Sequence, residues 1–346
     1  MRLVAVVLLC LTIWKAKLAP WGSFQKDYCG PGKTGALKGL FVLAVFLSHM
    51  RPYVSVSQEE RIAFSAVIYL GQRMVAPFLF YSGYGVMESI KKKGFAYVRA
   101  MPVHRVLKTM LHFDLALLLF LPVRYIVGKS VTLPQLLLSL VGLRSIGNSN
   151  WYVFVILLLY VITAVSFALF RKNVYLGAAL ASVLAVGAVC VLSCFFDLYW
   201  HDTLLCYMLG MWFSLLRKPL EKLLLHNDIT WCAGLAAGLL VYLEIQDRIY
   251  LFPFGPHLYA LAFMVVLVMV SAKLSLDNGF LRFLGKYTFW IYILQRLPML
   301  LLSHFGLWTE QPAVFFLISF PVTCLLAVVF DAAVTRLDKL LFRKRS

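Results

Sequence analysis

The stretch Gly35–Pro52, GALKGLFVLAVFLSHMRP, reads as an apolar helix with a lysine near one end and a histidine near the other. Lys38 and His49 are eleven residues apart, about three turns at 3.6 residues per turn, so both point to nearly the same face. At ~1.5 Å of rise per residue they sit roughly 16 Å apart along the axis, about half of a hydrocarbon core. A histidine inside an apolar membrane helix is costly, and its default reading is functional. A helix this greasy around so few polar groups decides the class of fold.

The rest of the chain is of the same kind. Its 346 residues are 62% hydrophobic and 14% charged, with a mean hydropathy of +0.84, far from the balance of a soluble domain of this length. Several segments approach or exceed the ~20 apolar residues that a membrane helix requires. The prediction is an all-α, polytopic transmembrane helix bundle, with a hydrophobic segment and basic linker over 1–34, a transmembrane domain over 35–335 and a basic tail over 336–346. Ten spans are expected at 35–55, 62–87, 106–127, 149–170, 174–196, 202–216, 229–248, 256–273, 284–304 and 312–334. Residues 3–14 (LVAVVLLCLTIW) are apolar but short, and read either as a brief extra span or as an uncleaved signal-like segment.

The net charge of +18 points to membrane orientation and not to nucleic acid, because the positive residues gather in alternate loops. Lys91, Lys92, Lys93, Arg99, Arg105 and Lys108 lie on one side with Arg171, Lys172, Arg217, Lys218, Lys222, Lys273, Arg282 and Lys286. The opposite loops carry Asp197, His201, Asp202, Glu244, Asp247, Arg248 and Glu310, and Arg124, Lys129 and Arg144 break the pattern there. The bias predicts a multi-pass cell-membrane protein with the 88–105 loop and the C-terminus in the cytoplasm. The 128–148 loop falls outside, and its apolar Leu133–Leu143 stretch suits an interfacial or re-entrant helix. The seven cysteines include no C-x-x-C pair, and no metal site is expected.

Against that orientation the polar residues acquire positions. His49 falls in the outer half of its helix beside Ser48 and Arg51, and a neutral imidazole suits a general base for a hydroxyl. Packing through a hydrogen bond to another helix is the plainer alternative. The basic run around Arg99 and Arg105 either anchors topology or, through planar guanidinium forks, holds a polyphosphate. Asp114, within MLHFDLALLLF, needs a partner and is expected in a structural ion pair. Phe78–Val86 (FLFYSGYGV) offers Ser82, Tyr84 and two glycines, either for close helix packing or as a wall of a substrate tunnel. Asn148, Ser149 and Asn150 precede Trp151, either capping the next helix or touching a polar acceptor. Gln295 and Arg296, after Tyr292, form a polar pair that is costly unless it faces a cavity.

Taken together, these pieces resemble the integral-membrane acyltransferase family 3, O-acyltransferases that modify surface glycans and other secreted molecules. Lys38-Gly39 followed at the same spacing by His49 is similar to the family's first-helix pattern. Phe78–Tyr84 is similar to its aromatic-Ser-Gly-Tyr second helix, Arg99–Arg105 to its arginine segment, Trp151 to its fourth-span start, and Phe289–Gln295 to its late Tyr-containing stretch. The likeness covers about 35–335. It implies an acyl-CoA donor, most often acetyl-CoA, as co-substrate, with no metal. It implies His49 as the catalytic residue and Lys38, Arg99 and Arg105 for the CoA phosphates. Ser82, Tyr84, Asn148, Asn150, Trp151, Tyr292 and Gln295 are then expected along the substrate path, with a glycan or other hydroxyl-bearing acceptor and membrane lipid as partners. Two departures stand out: Gln295 replaces the family's usual histidine, so that position cannot serve as a base, and Lys38 replaces the commoner arginine. The alternative is a transporter or flippase of a polar or lipid-linked molecule, which ten spans with intramembrane His49 and Asp114 would also suit.

Overall fold

The computed structural model describes residues 1–341, apart from the side chains at positions 59, 62, 63 and 66. It is a helix bundle, and the described residues include only one pair of two-residue strands. In chain order the α-helices are α1 (Arg2–Ile13), α2 (Pro31–Met50), α3 (Gln58–Leu70), α4 (Ala76–Lys93), α5 (Phe95–Met101), α6 (Lys108–Leu118), α7 (Phe120–Ile126), α8 (Leu133–Leu140) and α9 (Trp151–Leu169). There follow α10 (Val174–Phe195), α11 (Leu205–Leu224), α12 (Asp228–Asp247), α13 (Gly255–Lys273), α14 (Gly279–Lys286), α15 (Thr288–Leu294), α16 (Arg296–His304) and α17 (Pro312–Leu341). Helix α17 runs on into the stretch read as a tail, and Arg343, Lys344 and Arg345 lie outside the described residues.

Six helical runs among the described residues are long and apolar enough to cross a membrane: Phe95–Ile126, Trp151–Leu169, Val174–Phe195, Asp228–Asp247, Gly255–Lys273 and Pro312–Leu341. Three intervals expected as single spans are instead interrupted, the 106–127 interval only at Leu119 between α6 and α7. The 62–87 interval breaks into α3 and α4 at a 3-10 segment, Gly71–Val75, entered through Gly71 at φ +49°. The 284–304 interval is three short helices, α14 to α16. Pro298 has no N–H for the carbonyl of Leu294, where α15 ends, and Thr288 turns its hydroxyl back onto Leu284 and Gly285 at 3.1 and 3.0 Å. Pro102 acts in the same way upstream, and the chain widens into π-type turns over Pro102–Leu107.

Helix α2 is the central element, lying against α3, α4, α14, α15 and α16. Val42, Phe46 and Met50, four apart, form one fully buried stripe, and Phe46 meets Phe316 and Phe320 of α17 edge-on at 5.8 and 5.0 Å. Small residues let α14 approach closely: a Cβ on Gly39 would collide with the Leu281 carbonyl, and one on Gly285 with that of Gly35. The N-terminal α1 has 12 residues, ~18 Å of helix, less than a hydrocarbon core. Asn278 ties its end to α14. Its Nδ2 donates to the carbonyls of Leu11, Thr12 and Trp14, while its Oδ1 accepts from the Leu281 N–H at the start of α14. The linker is pinned by the strand pair Lys17–Leu18 with Leu274–Ser275, and by Lys273, which donates to the Pro20 and Ser23 carbonyls and pairs with buried Asp228.

Candidate functional site

Two cavities open along the face of α2 next to its buried stripe. Lys38, Val45 and His49 fall at intervals of seven and four residues, so they share one line along the helix. Lys38 lines a cavity of about 400 Å³, and His49 lines one of about 450 Å³. Val45, Val75 and Tyr292 border both. Helix α2, the 3-10 segment after α3 and helix α15 therefore each contribute one apolar or aromatic side chain to the boundary that the two cavities share. The interruptions matter here: the 3-10 break ends at Val75, and the break before α16 leaves Gln295 and Arg296 beside that boundary.

In the Lys38 cavity three cations converge from different parts of the chain. Lys38 comes from α2 and Arg105 from the π-type turns, and Lys286 stands at the end of α14. Arg105 is braced: its Nε donates to the Tyr97 hydroxyl at 3.0 Å, and its guanidinium lies 6.0 and 5.8 Å from the Tyr97 and Tyr160 ring centres. No aspartate or glutamate among the described residues lines this cavity. Ser82 bonds the Tyr160 hydroxyl at 2.9 Å, and Gly85 faces open space. Gly83, by contrast, packs against the Tyr207 carbonyl of α11, so only the first of the two glycines serves close packing.

In the second cavity His49 Nδ1 lies 2.9 Å from Gln295 Nε2 and 3.5 Å from Ser149 Oγ. The same Gln295 nitrogen donates to the Tyr292 carbonyl at 2.9 Å. A carbonyl can only accept, so the group facing it must be the amide NH₂ and not the amide oxygen. His49 Nδ1 is therefore an acceptor, and the neutral ring carries its proton on Nε2. Gln295 is wholly buried, whereas Ser149 borders the cavity, so Nδ1 is bonded to Gln295 on its buried side and has Ser149 on its cavity side. Tyr292 stands beside the imidazole at 6.1 Å between ring centres.

The other expected site residues divide. Asn148, Asn150 and Trp151 line the His49 cavity. Asn150 occupies the N-cap position of α9 but makes no side-chain cap; its amide instead donates to the Gly142 carbonyl at 2.7 Å. Arg99 is exposed on α5 and lines neither of these two cavities. Tyr84 also turns away from both, because it is two residues, or 200°, round the helix from Ser82, and its hydroxyl accepts from Arg217 at 2.7 Å. Asp114 enters no ion pair among the described residues, and its Oδ1 is buried without a partner. Lys108 and His112 instead meet Asp338 of α17 at 2.7 and 2.9 Å, and Asp114 lies 200° round α6 from His112. Among the residues that sequence reasoning left out of the site are Arg296, Gln72 and Tyr199, which line the His49 cavity, and Tyr152, Tyr160 and Lys286, which line the other. The available signal for Arg296 was its place beside Gln295 in an apolar stretch.

The family model of the acyltransferase domain, acyltransferase family 3, matches residues 35–332. The chain belongs to this family. Its apolar helices make it a multi-pass membrane protein, and the cavities lie within the matched residues. No curated protein and no solved structure matches it.

Proposed function

We propose that the protein is an O-acyltransferase that moves an acyl group, most simply acetyl, from cytoplasmic acyl-CoA to a hydroxyl of a cell-surface or exported glycan. The observation that carries this reading is the pair of cavities on one face of α2, cations in one and His49 in the other, with three side chains between them. Lys38 and Arg105 would meet the CoA phosphates, Arg105 with a planar fork and Lys38 as a point charge. Arg99, exposed on α5, is left with an anchoring role. The cavity with Lys38 would open to the cytoplasm, in keeping with the positive loops on that side.

The thioester end passes between Val45, Val75 and Tyr292 to meet the acceptor, which enters the His49 cavity. As the acceptor enters, Gln295 gives up its bond to Nδ1, and His49 Nδ1 takes the acceptor hydroxyl's proton as the oxygen forms its bond to the thioester carbon. The carbon–sulfur bond then breaks, and the imidazolium returns that proton to the CoA thiolate, so CoA leaves as the thiol. In the resting ring Gln295 keeps Nδ1 unprotonated and ready, and Ser149, whose hydroxyl can also accept, faces the imidazolium. Asn148, Asn150 and Trp151 serve the acceptor, and Ser82 and Tyr292 line the path of the acyl arm.

Radiolabelled acetyl-CoA supplied to purified protein in liposomes, with a cell-envelope extract as acceptor, tests the reading. Label should leave the thioester in the wild type and not in His49→Ala. No CoA release with any short acyl donor would favour a transporter, for which the boundary between the cavities would be a gate.

A further inference from the structure

Arg296 begins α16 and borders the His49 cavity, yet it makes no hydrogen bond and no ion pair among the described residues. Its Nε is fully buried. A guanidinium in a membrane bundle ordinarily finds a carboxylate or a row of carbonyls, because removal of a charge from water is expensive. Here no aspartate or glutamate among the described residues lines the cavity. A second donor is in the same position: Asn148 is 1% exposed, its Oδ1 is used by the Ile146 N–H at 3.0 Å, and its Nδ2 has no partner. Among the described residues, the other titratable side chains lining this cavity are His49, Tyr199 and Tyr292, none of them a carboxylate.

We infer that the His49 cavity binds an anionic acceptor, a glycan unit bearing a carboxylate or phosphate, whose negative group is taken by Arg296 and Asn148. This rests on the reading above in one respect, that the acceptor occupies this cavity. The contrast with Arg105 supports it: that guanidinium is braced by Tyr97 and Tyr160, while Arg296 has its fork free for a bidentate partner. An anion anchored at Arg296 would leave a neighbouring hydroxyl of the same sugar to approach Nδ1 past Ser149, so charge would select the acceptor and also set which hydroxyl is acylated.

Equilibrium binding to protein in liposomes, with no acyl-CoA present, tests the inference independently of turnover. The probes are radiolabelled tetragalacturonate, its uncharged methyl ester, and glucose 1-phosphate beside methyl glucoside. Wild type should retain one charged member, carboxylate or phosphate, about tenfold or more above its neutral counterpart, the range expected of a charged hydrogen bond. The anionic preference should collapse in Arg296→Gln and partly return in Arg296→Lys. Equal retention of charged and neutral probes by wild type overturns the inference even if no variant folds. So does an anionic preference that survives Arg296→Gln, which would assign the guanidinium to the reacting atoms. Absence of acetyl-CoA turnover, with the charge preference intact, would defeat the transferase reading and leave this one standing.

Discussion

The Lys38 cavity and the His49 cavity are built on one helix and share three side chains, yet their polar groups are held in opposite ways. In the first, Arg105 is braced by a phenol and two aromatic rings, and the neighbouring Gly85 leaves room. In the second, one nitrogen of His49 is held by a buried amide, while Arg296 and Asn148 keep donors without partners. A braced arginine beside free space suits a long ligand whose charged end is always the same. Idle donors around a fixed imidazole suit a variable ligand that must be oriented at one atom. The difference teaches that affinity for the donor and selection of the acceptor can be tuned separately, through residues on either side of Val45, Val75 and Tyr292.

That separation can be broken most sharply at His49. His49→Ala should lower acyl transfer by about 10²–10⁴-fold, the usual worth of a general base, as measured by label transferred from acetyl-CoA. Next in size is the Lys38→Ala, Arg105→Ala pair, expected to raise the KM for acyl-CoA about tenfold per lost charged contact while the KM for acceptor stays put. Gln295→Leu keeps the volume but removes the bond to Nδ1. Transfer should fall about tenfold through kcat, with acyl-CoA KM unchanged, and an acyl-CoA KM that moved instead would merge the two cavities into one site. The smallest effect separates two glycines of α4. Gly83→Ala should lower the melting temperature by driving a methyl into the Tyr207 carbonyl, whereas Gly85→Ala, which meets nothing within 4 Å, should leave it unchanged or raise it slightly.

Much of the fold was legible because membrane helices announce themselves by apolar length, and all ten expected intervals fall mainly on helix. What was misread were the interruptions. Pro298 and Gly71 are plain in the sequence, but an apolar run continues through each, and hydropathy does not register a missing N–H. The placement of Lys38, Val45 and His49 on one line was legible because they share a helix. Gln295 as the partner of His49 was not, since 246 residues separate them and only the bundle brings them together. The choice of Arg105 over Arg99 at the cavity turns on the π-type turns after Pro102, which shift every later side chain round the axis. Tyr84 was excluded by simple helical geometry from the face that Ser82 and Gly85 occupy.

The most direct measurement is binding of radiolabelled CoA to purified protein in liposomes, taken beside transfer in the same preparation. The account predicts that His49→Ala binds CoA as the wild type does while its transfer falls by about 10²-fold or more, and that the Lys38→Ala, Arg105→Ala pair loses binding. Loss of CoA binding in His49→Ala, or full binding and transfer in the paired variant, would contradict it.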